Sequence, residues 1–182
     1  MNALDDLAWL ARRTGLTLLD GRPPGSPDLS TVQAGVVVEP THVTAAARLG
    51  VPVIAVVGWP TGRHHSVIKA AEARLAAESG AAEVWLAVDD AAEESALLAD
   101  IIAVRQAVSA PTVFGVISTG DGASVFAAER SGADVLAVAA GTAVPGTRLP
   151  VAVYGAEGPA VETAVEALEE GAARVFVARF GA

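Results

Sequence analysis

The stretch VIAVVGWPTGRHHSVIKAAEARLAAESGAAEVWLAV, residues 53–88, contains a complete strand–loop–helix–strand unit. Its first five residues form an apolar, largely β-branched run, which is typical of a strand buried on both faces. The turn-rich segment GWPTG follows, and Ser66 is placed to cap the next helix. Residues 83–88 then form a second apolar strand. A crossover of this length predicts a right-handed βαβ unit.

The residue pattern of this helix predicts which side packs on the sheet. Ile68, Ala71 and Leu75 recur at helical spacing, whereas Lys69 and Glu72 lie on the other side. We therefore expect the first set to face inward. Lys69, the only lysine of the chain, is expected on a solvated helix face.

Similar units follow one another along the whole chain. The other strands are expected at residues 15–20, 36–39, 112–118, 135–140, 150–154 and 174–180. The other helices are expected at residues 4–13, 41–48, 93–108 and 123–130, with a last one opened by Pro159 at its first position. The inward residues of the two long later helices should be Leu97, Ile101, Val104 and Val108, and then Val161, Val165 and Leu168.

This alternation favours a single-domain (β/α)8 barrel over residues 1–182 rather than an open doubly wound sheet. The barrel is expected to be trimmed. Residues 28–33 leave room for about one helical turn, and residues 141–149 are too short and too rich in Gly and Pro for a helix. No helix is expected after strand eight. A dinucleotide site is unlikely on sequence grounds, because Gly120-Asp121-Gly122 lacks the third glycine.

Composition limits the partners that the protein can bind. The 182 residues carry a formal net charge of −9, which argues against nucleic acids and anionic membranes. There is no cysteine, so disulfides and thiolate chemistry are excluded. The start MNALDDLAWLARR is acidic where a signal peptide is basic, and no apolar run is long enough to span a bilayer. We expect a cytoplasmic protein.

The segment VVGWPTGRHHSVIKAAEARLAAESGAAEV, residues 56–84, resembles the third strand, loop and helix of deoxyribose-phosphate aldolases. VVVEPTHV at residues 36–43 resembles the second strand of that family. SGADVLAVAAGT at residues 131–142 and EGAARVFVARFG at residues 170–181 resemble the sixth and eighth strands. The resemblance implies a (β/α)8 barrel with its site at the carboxyl ends of the strands.

The resemblance also implies where catalytic residues should stand. The Schiff-base lysine of the family falls at Ala137, its partner lysine at Ala152, and the proton-relaying aspartate at Trp85. The glutamate that ends strand five in the family falls at Ser118. An imine requires a primary amine, which arginine cannot replace at neutral pH. The sequence therefore favours a degenerate aldolase that binds a small molecule or a protein partner.

The family binds its substrate phosphate after strands six, seven and eight, and this region is altered. Gly141 and Gly155 remain, but Phe176 stands where a glycine is usual and Arg179 where a serine is usual. Arg179 and Arg148 could attract an anion, although ordinary surface arginines are the simpler reading. The ligand-binding candidates are Thr119, Gly141, Thr142, Tyr154, Gly155 and Arg179.

Other residues leave an active enzyme open as the alternative. His64 and His65 could bind a metal together with Glu39 or residues 89–90, as in metal-dependent aldolases. No HxH or HExxH spacing supports a metal, so an exposed histidine pair without a cofactor is the simpler expectation. Three aromatic rings, those of Trp59, Trp85 and Tyr154, could stack on a ligand or plug a disused pocket; plugging is favoured.

The trimmed barrel also carries an expectation about assembly. Without helices after strands six and eight, the strand flanks near Val138, Val151 and Val175 would be uncovered and apolar. Such a surface marks an interface, and a two-fold homodimer is the simplest assembly. Alternatively, the amino-terminal helix could cover the gap within one chain.

Overall fold

The computed structural model describes residues 3–179, and the side chains of Ala3 and Leu4 are not described. Eight parallel strands close into a barrel in chain order, because β1 pairs with both β2 and β8. The strands are β1 (Thr14–Leu18), β2 (Val36–Val38), β3 (Val53–Val57), β4 (Glu83–Ala87), β5 (Val113–Ser118), β6 (Val135–Ala139), β7 (Val151–Ala156) and β8 (Arg174–Ala178). The expected (β/α)8 barrel is confirmed.

The helices alternate with these strands, with two gaps. They are α1 (Ala3–Ala11), α2 (Val43–Ala46, flanked by short 3-10 turns at Pro40–His42 and Ala47–Leu49), α3 (Ser66–Glu78), α4 (Glu94–Arg105), α5 (Gly122–Arg130) and α6 (Ala160–Glu169). Residues 19–35 and 140–150 contain no helix, so the first crossover and the one after β6 are trimmed. Within residues 3–179, no helix has both the length and the apolar character that a bilayer span requires.

The strand flanks near the missing helices are covered, contrary to expectation. Val138 and Val175 are fully buried and Val151 is 5% exposed. They share one apolar cluster with Leu10 of α1 and Ala164 of α6. The amino-terminal helix therefore packs over the gap within the chain, and the predicted exposed flanks do not exist.

Helix α3 packs on the opposite side from the one expected. Ile68 is 59% exposed and Leu75 58% exposed, whereas Lys69 is only 2% exposed. Ala73 and Ala76 accompany Lys69 on the buried side. Small alanines let α3 approach the buried strands closely, so the larger apolar residues are left outside.

Other local expectations have mixed outcomes. The inward residues expected for α4 are buried: Leu97, Ile101 and Val104 lie on the helix, and Val108 lies just beyond its end. In α6 the buried residue is Ala164, and Val161 and Val165 are 39% and 40% exposed, so the prediction was wrong for these two valines. Leu168 is half-buried and packs against the core as expected. Pro159 precedes the first helical turn instead of opening it. Strand β8 ends at Ala178, and Phe180 lies outside the described residues.

The barrel interior is filled by large rings that lie over glycines. A Cβ at Gly115 would lie 2.5 Å from the Trp85 ring, and one at Gly15 would overlap the ring of Phe176. Only glycine therefore leaves room for these two rings inside the barrel. The filled interior confines any ligand to the mouth.

Candidate functional site

The carboxyl ends of the strands surround a cavity of about 400 Å³. In a (β/α)8 barrel this is the end at which ligands bind. Its polar lining comes from Thr61, Arg63, Asp90, Ser118, Thr119, Thr142 and Tyr154. Its apolar lining includes Trp59, Ala87, Ile117 and Ala139. The cavity is large enough for a small molecule.

Below this cavity, aromatic rings close the barrel. We define the aromatic plug as Trp85, Tyr154 and Phe176. The Trp85 ring lies 5.3 Å from Phe176, edge to face, and 6.3 Å from Tyr154. Trp59 caps Tyr154 from the β3–α3 loop at 5.9 Å. Burial raises the pKa of Tyr154 to about 12, so its hydroxyl is a neutral hydrogen-bond group.

The three residues at which the sequence resemblance predicts catalytic groups, Ala137, Ala152 and Trp85, lie together inside the barrel. Ala137 and Ala152 are paired in register on β6 and β7, and both are fully buried. Trp85 is fully buried in the same inner cluster. A methyl group and an indole ring cannot donate or accept the protons that imine chemistry moves. The three residues therefore lie close together, but their side chains cannot carry out imine chemistry.

Lys69 lies outside the barrel interior, although it is buried. Its Nζ donates to the carbonyl oxygen of Gly62 at 2.7 Å and forms an ion pair with Asp100 of α4. Ser66 does not cap the helix; its hydroxyl donates to the same Asp100 carboxylate at 2.7 Å. Glu72 accepts the Gly58 amide at 2.8 Å. Lys69 and Glu72 thus hold both ends of the loop that carries Trp59 to the mouth.

This arrangement predicts that Asp100→Asn loosens the β3–α3 loop. The substitution keeps the shape but removes the charge that faces the buried Lys69, at a cost of about 1.5–3 kcal/mol. Trypsin should then cleave after the exposed Arg63 several times faster than in the unmodified protein, measured by mass spectrometry. Glu78→Gln removes a carboxylate from the exposed Arg74–Glu78 pair and is the control. Unchanged cleavage after Arg63 would show that Lys69 does not restrain the loop.

Three of the six ligand-binding candidates line the mouth cavity, namely Thr119, Thr142 and Tyr154. Gly141 borders a neighbouring groove beside α6 that also reaches Thr142. The Gly155 amide donates to the Thr17 hydroxyl at 2.9 Å and is therefore already bonded within the protein. The six candidates do not form a single site.

Arg179 lies at the end of β8 beside β1. Its Nη1 donates to the carbonyl oxygen of Pro23 at 3.2 Å, and its Nε lies 3.6 Å from the Asp20 carboxylate. Among residues 3–179, Nε and Nη2 have no hydrogen-bond partner although both atoms are buried. Arg148 is 84% exposed and lies 3.6 Å from Glu129, as expected for a surface arginine. Among the described residues, Arg179 thus has two buried nitrogen atoms without a hydrogen-bond partner, whereas the guanidinium of Arg148 is exposed.

A hydroxyl network follows β5. Asp121 caps α5 by accepting the amides of Ala123 and Ser124, each at 2.9 Å. The hydrogen bond from the Thr119 hydroxyl and those from Ser124 hold the pKa of Asp121 at about 2, against the opposing effect of burial. Ser118 and Ser124 share a hydrogen bond at 2.6 Å. The hydroxyls of Ser118 and Thr119 are thereby oriented at the edge of the cavity.

The histidine pair does not gather metal ligands. His64 and His65 are exposed, and Glu39 pairs instead with His42 at 3.3 Å. Asp89 accepts Arg63 at 3.1 Å, and Asp90 accepts it at 3.4 Å. Across the part of the chain that the structure describes, no group of three or more His, Asp and Glu side chains is placed to hold a metal ion.

Sequence reasoning missed two sets of residues around the site. Arg63 lines the mouth cavity and pairs with Asp89 and Asp90, and its place on the loop after β3 was a usable signal. Glu83 and Arg174 form an ion pair inside the barrel, below the plug, with Nη2 to Oε2 at 2.9 Å. These two residues are far apart in the sequence, and no local pattern links them.

Solved structures share this architecture. One described as "QR15, an Aldolase" has a TM-score of 0.72 at 20% identity, covering 92% of this chain and 90% of that one. A tetrameric deoxyribose phosphate aldolase from Aeropyrum pernix has a TM-score of 0.70 at 21% identity, covering 98% and 94% of the two chains. Fold and site thus define the class: a (β/α)8 barrel of the shape found in aldolases.

Sequence comparison names the relatives. The deoxyribose-phosphate aldolase of Nocardia farcinica is 46% identical over 103 residues, which are 50% of this chain and 46% of that protein. The one from Corynebacterium glutamicum is 42% identical over 81 residues, 42% and 36% of the two chains. The chain thus matches about half of the length of these curated relatives or less, and no protein-family model matches it. The resemblance to deoxyribose-phosphate aldolases is confirmed over about half of this chain.

Proposed function

We propose that this protein is a catalytically degenerate aldolase relative that binds a small polar molecule at the barrel mouth without covalent chemistry. One observation carries the proposal. Ala137, Ala152 and Trp85 occupy the interior positions where the resemblance to the family places two lysines and an aspartate. An aldol cleavage through an imine would need an amine at that place.

Lys69 cannot substitute for the missing amine. Its Nζ bonds to the Gly62 carbonyl and the Asp100 carboxylate on the helix side of the sheet. The mouth cavity is lined by Trp59 and Thr61 of the same loop but not by Lys69. A carbon chain in the mouth would therefore face hydroxyls and rings, not a nucleophilic nitrogen.

The charges at the mouth favour a ligand without net negative charge. Arg63, the basic side chain among the described residues that line the cavity, is bonded to Asp89 and Asp90. The hydroxyl of Thr142 and the neutral phenol of Tyr154 remain for hydrogen bonds, and the Thr119 hydroxyl, which donates to Asp121, can still accept one. Trp59 offers a ring face to an apolar ligand surface.

This proposal predicts no cleavage of 2-deoxyribose 5-phosphate. Loss of acid–base groups alone removes about two to four orders of magnitude in rate, and loss of the imine removes the reaction path itself. A coupled assay for the aldehyde product should show no turnover above background. Borohydride added with acetaldehyde should leave Lys69 unmodified in a peptide map. A curated relative that is active in the same assay is the positive control.

An active lyase with a rebuilt site is the second candidate, because the mouth remains open and polar. Turnover that survives borohydride and is abolished by a chelator would support it, and would place the chemistry near His64 and His65. Turnover that borohydride stops, with an adduct on Lys69, would overturn the account of Lys69. The proposed binding function itself is tested by titrating the protein with small polyols in solution. A change in tryptophan fluorescence, to which Trp59 at the mouth contributes, would report binding.

We also propose that the protein acts as a homo-oligomer, most simply a dimer. One of the solved structures that share its fold is described as tetrameric. Large apolar side chains are exposed on its helices, including Leu7, Trp9 and Ile68, and surfaces of this kind mark interfaces. A cytoplasmic location stays a prediction.

A further inference from the structure

Helix α1 carries an acid, an aromatic ring and a base along one outward stripe. Asp5, Trp9 and Arg12 follow at i, i+4 and i+7, the spacing that aligns side chains on one face. Arg12 continues the helix beyond Ala11, because its amide donates to the Ala8 carbonyl at 3.3 Å. All three side chains are exposed, and Trp9 is 46% exposed.

The stripe borders an apolar groove with a volume of about 570 Å³. Val165 of α6 forms its far side, and Val161 lies one helical turn away on the same helix. The Arg13 guanidinium covers part of the Trp9 ring at 4.0 Å from its centroid. We define the α1 surface as Asp5–Arg13 together with these two valines.

We infer that the α1 surface docks a second copy of this chain, with the two α1 helices antiparallel about a two-fold axis at Trp9. The inference rests on the proposed self-association and assigns its location. A two-fold contact requires a surface that is complementary to itself. Antiparallel pairing places Asp5 of each copy opposite Arg12 of the other and stacks the two Trp9 rings at the centre.

Unused charges distinguish this surface from the other exposed apolar helix face. No ion pair joins Asp5 or Arg12 to another described residue. On α3, by contrast, Arg74 and Glu78 beside the exposed Leu75 already pair with each other at 3.8 Å. A parallel arrangement of two α1 helices would place Asp5 against Asp5. The antiparallel arrangement is therefore the one in which both charges find partners.

Charge reversal tests this geometry by sedimentation equilibrium at micromolar concentration. Asp5→Arg alone and Arg12→Glu alone should each weaken the dimer about tenfold or more, since like charges then face each other. An equimolar mixture of the two variants should recover the unmodified affinity, because both opposed pairs become attractive. Trp9→Glu should raise the dissociation constant about a hundredfold. Leu75→Glu on α3 is the control and should leave the dimer unchanged.

The outcomes separate this inference from the broader proposal. An unmodified protein that is monomeric at these concentrations would overturn both. A dimer that tolerates Trp9→Glu, or single reversals that the mixture does not rescue, would overturn the α1 geometry while leaving self-association intact. Circular dichroism of each variant establishes that it is folded, and the mixing experiment uses two chains whose helices keep their length and apolar residues.

Discussion

Replacing Glu83 by alanine is expected to destabilise the barrel by about 3–5 kcal/mol, the cost of stranding one member of a buried ion pair. The Glu83 side chain is 10% exposed and that of Arg174 is 21% exposed. Glu83 also accepts the indole N–H of Trp85 at 3.1 Å. Alanine would therefore leave both a guanidinium and an indole N–H without an acceptor. Urea unfolding followed by far-ultraviolet circular dichroism measures the change.

Two further variants test the cause of this loss. Glu83→Leu combined with Arg174→Met should recover most of the stability, because apolar pairs often replace buried ion pairs at little cost. Glu78→Ala removes a carboxylate from an ion pair in which both side chains are more than 60% exposed, and should cost less than about 1 kcal/mol. If Glu83→Ala costs no more than Glu78→Ala, the ion pair does not support the plug above it.

Strand runs in the sequence predict the barrel well, because most strands are buried on both faces and read as largely apolar segments. The bounds of β3 are as expected, and those of β6 differ by one residue. The gaps after β1 and β6 were also visible, since Gly and Pro exclude helices there. Local composition is enough to predict a strand or a missing helix when its burial does not depend on distant segments.

The face of α3 could not be predicted in this way, because it depends on distant partners. Lys69 is buried since Asp100, on the next helix, supplies an opposite charge and Gly62 supplies a carbonyl. The alanines at positions 73 and 76 offer a smoother surface to the strands than Ile68 would. A count of apolar residues favours the larger side chains and misses both effects.

The same distinction applies to the candidate site: part of it follows from local sequence, and part depends on residues that are distant in the sequence. The absence of a lysine at positions 137 and 152 can be read from the sequence. The structure places Ala137 and Ala152 in the inner cluster beside Trp85. The ring arrangement and the Glu83–Arg174 pair needed the closed barrel, because only closure brings β4 and β8 across one interior. Residues that meet through closure leave no local signal.

Phe176→Ala is expected to cost about 3–5 kcal/mol, because it removes a fully buried ring of the aromatic plug. Phe176 is fully buried, and its ring meets Trp85 edge to face at 5.3 Å. The void would have a glycine, Gly15, on one side, so nothing close by can fill it. Denaturant unfolding gives the loss, and Trp85 should show altered near-ultraviolet circular dichroism. Phe126→Ala, at a ring that is 44% exposed on α5, is the control and should change little.

The pairing of ring and glycine can be tested separately from the loss of burial. Gly15→Ala should destabilise the unmodified protein by about 1–3 kcal/mol, since its Cβ overlaps the Phe176 ring. In the Phe176→Ala background the same substitution should cost less, because the contact with the ring is gone and the close contact with the Gly35 carbonyl oxygen, at 2.6 Å, remains. Additive effects of the two substitutions would mean that Gly15 does not make room for the ring. A favourable coupling of the two would show that Gly15 makes room for the Phe176 ring, which closes the barrel beneath its mouth.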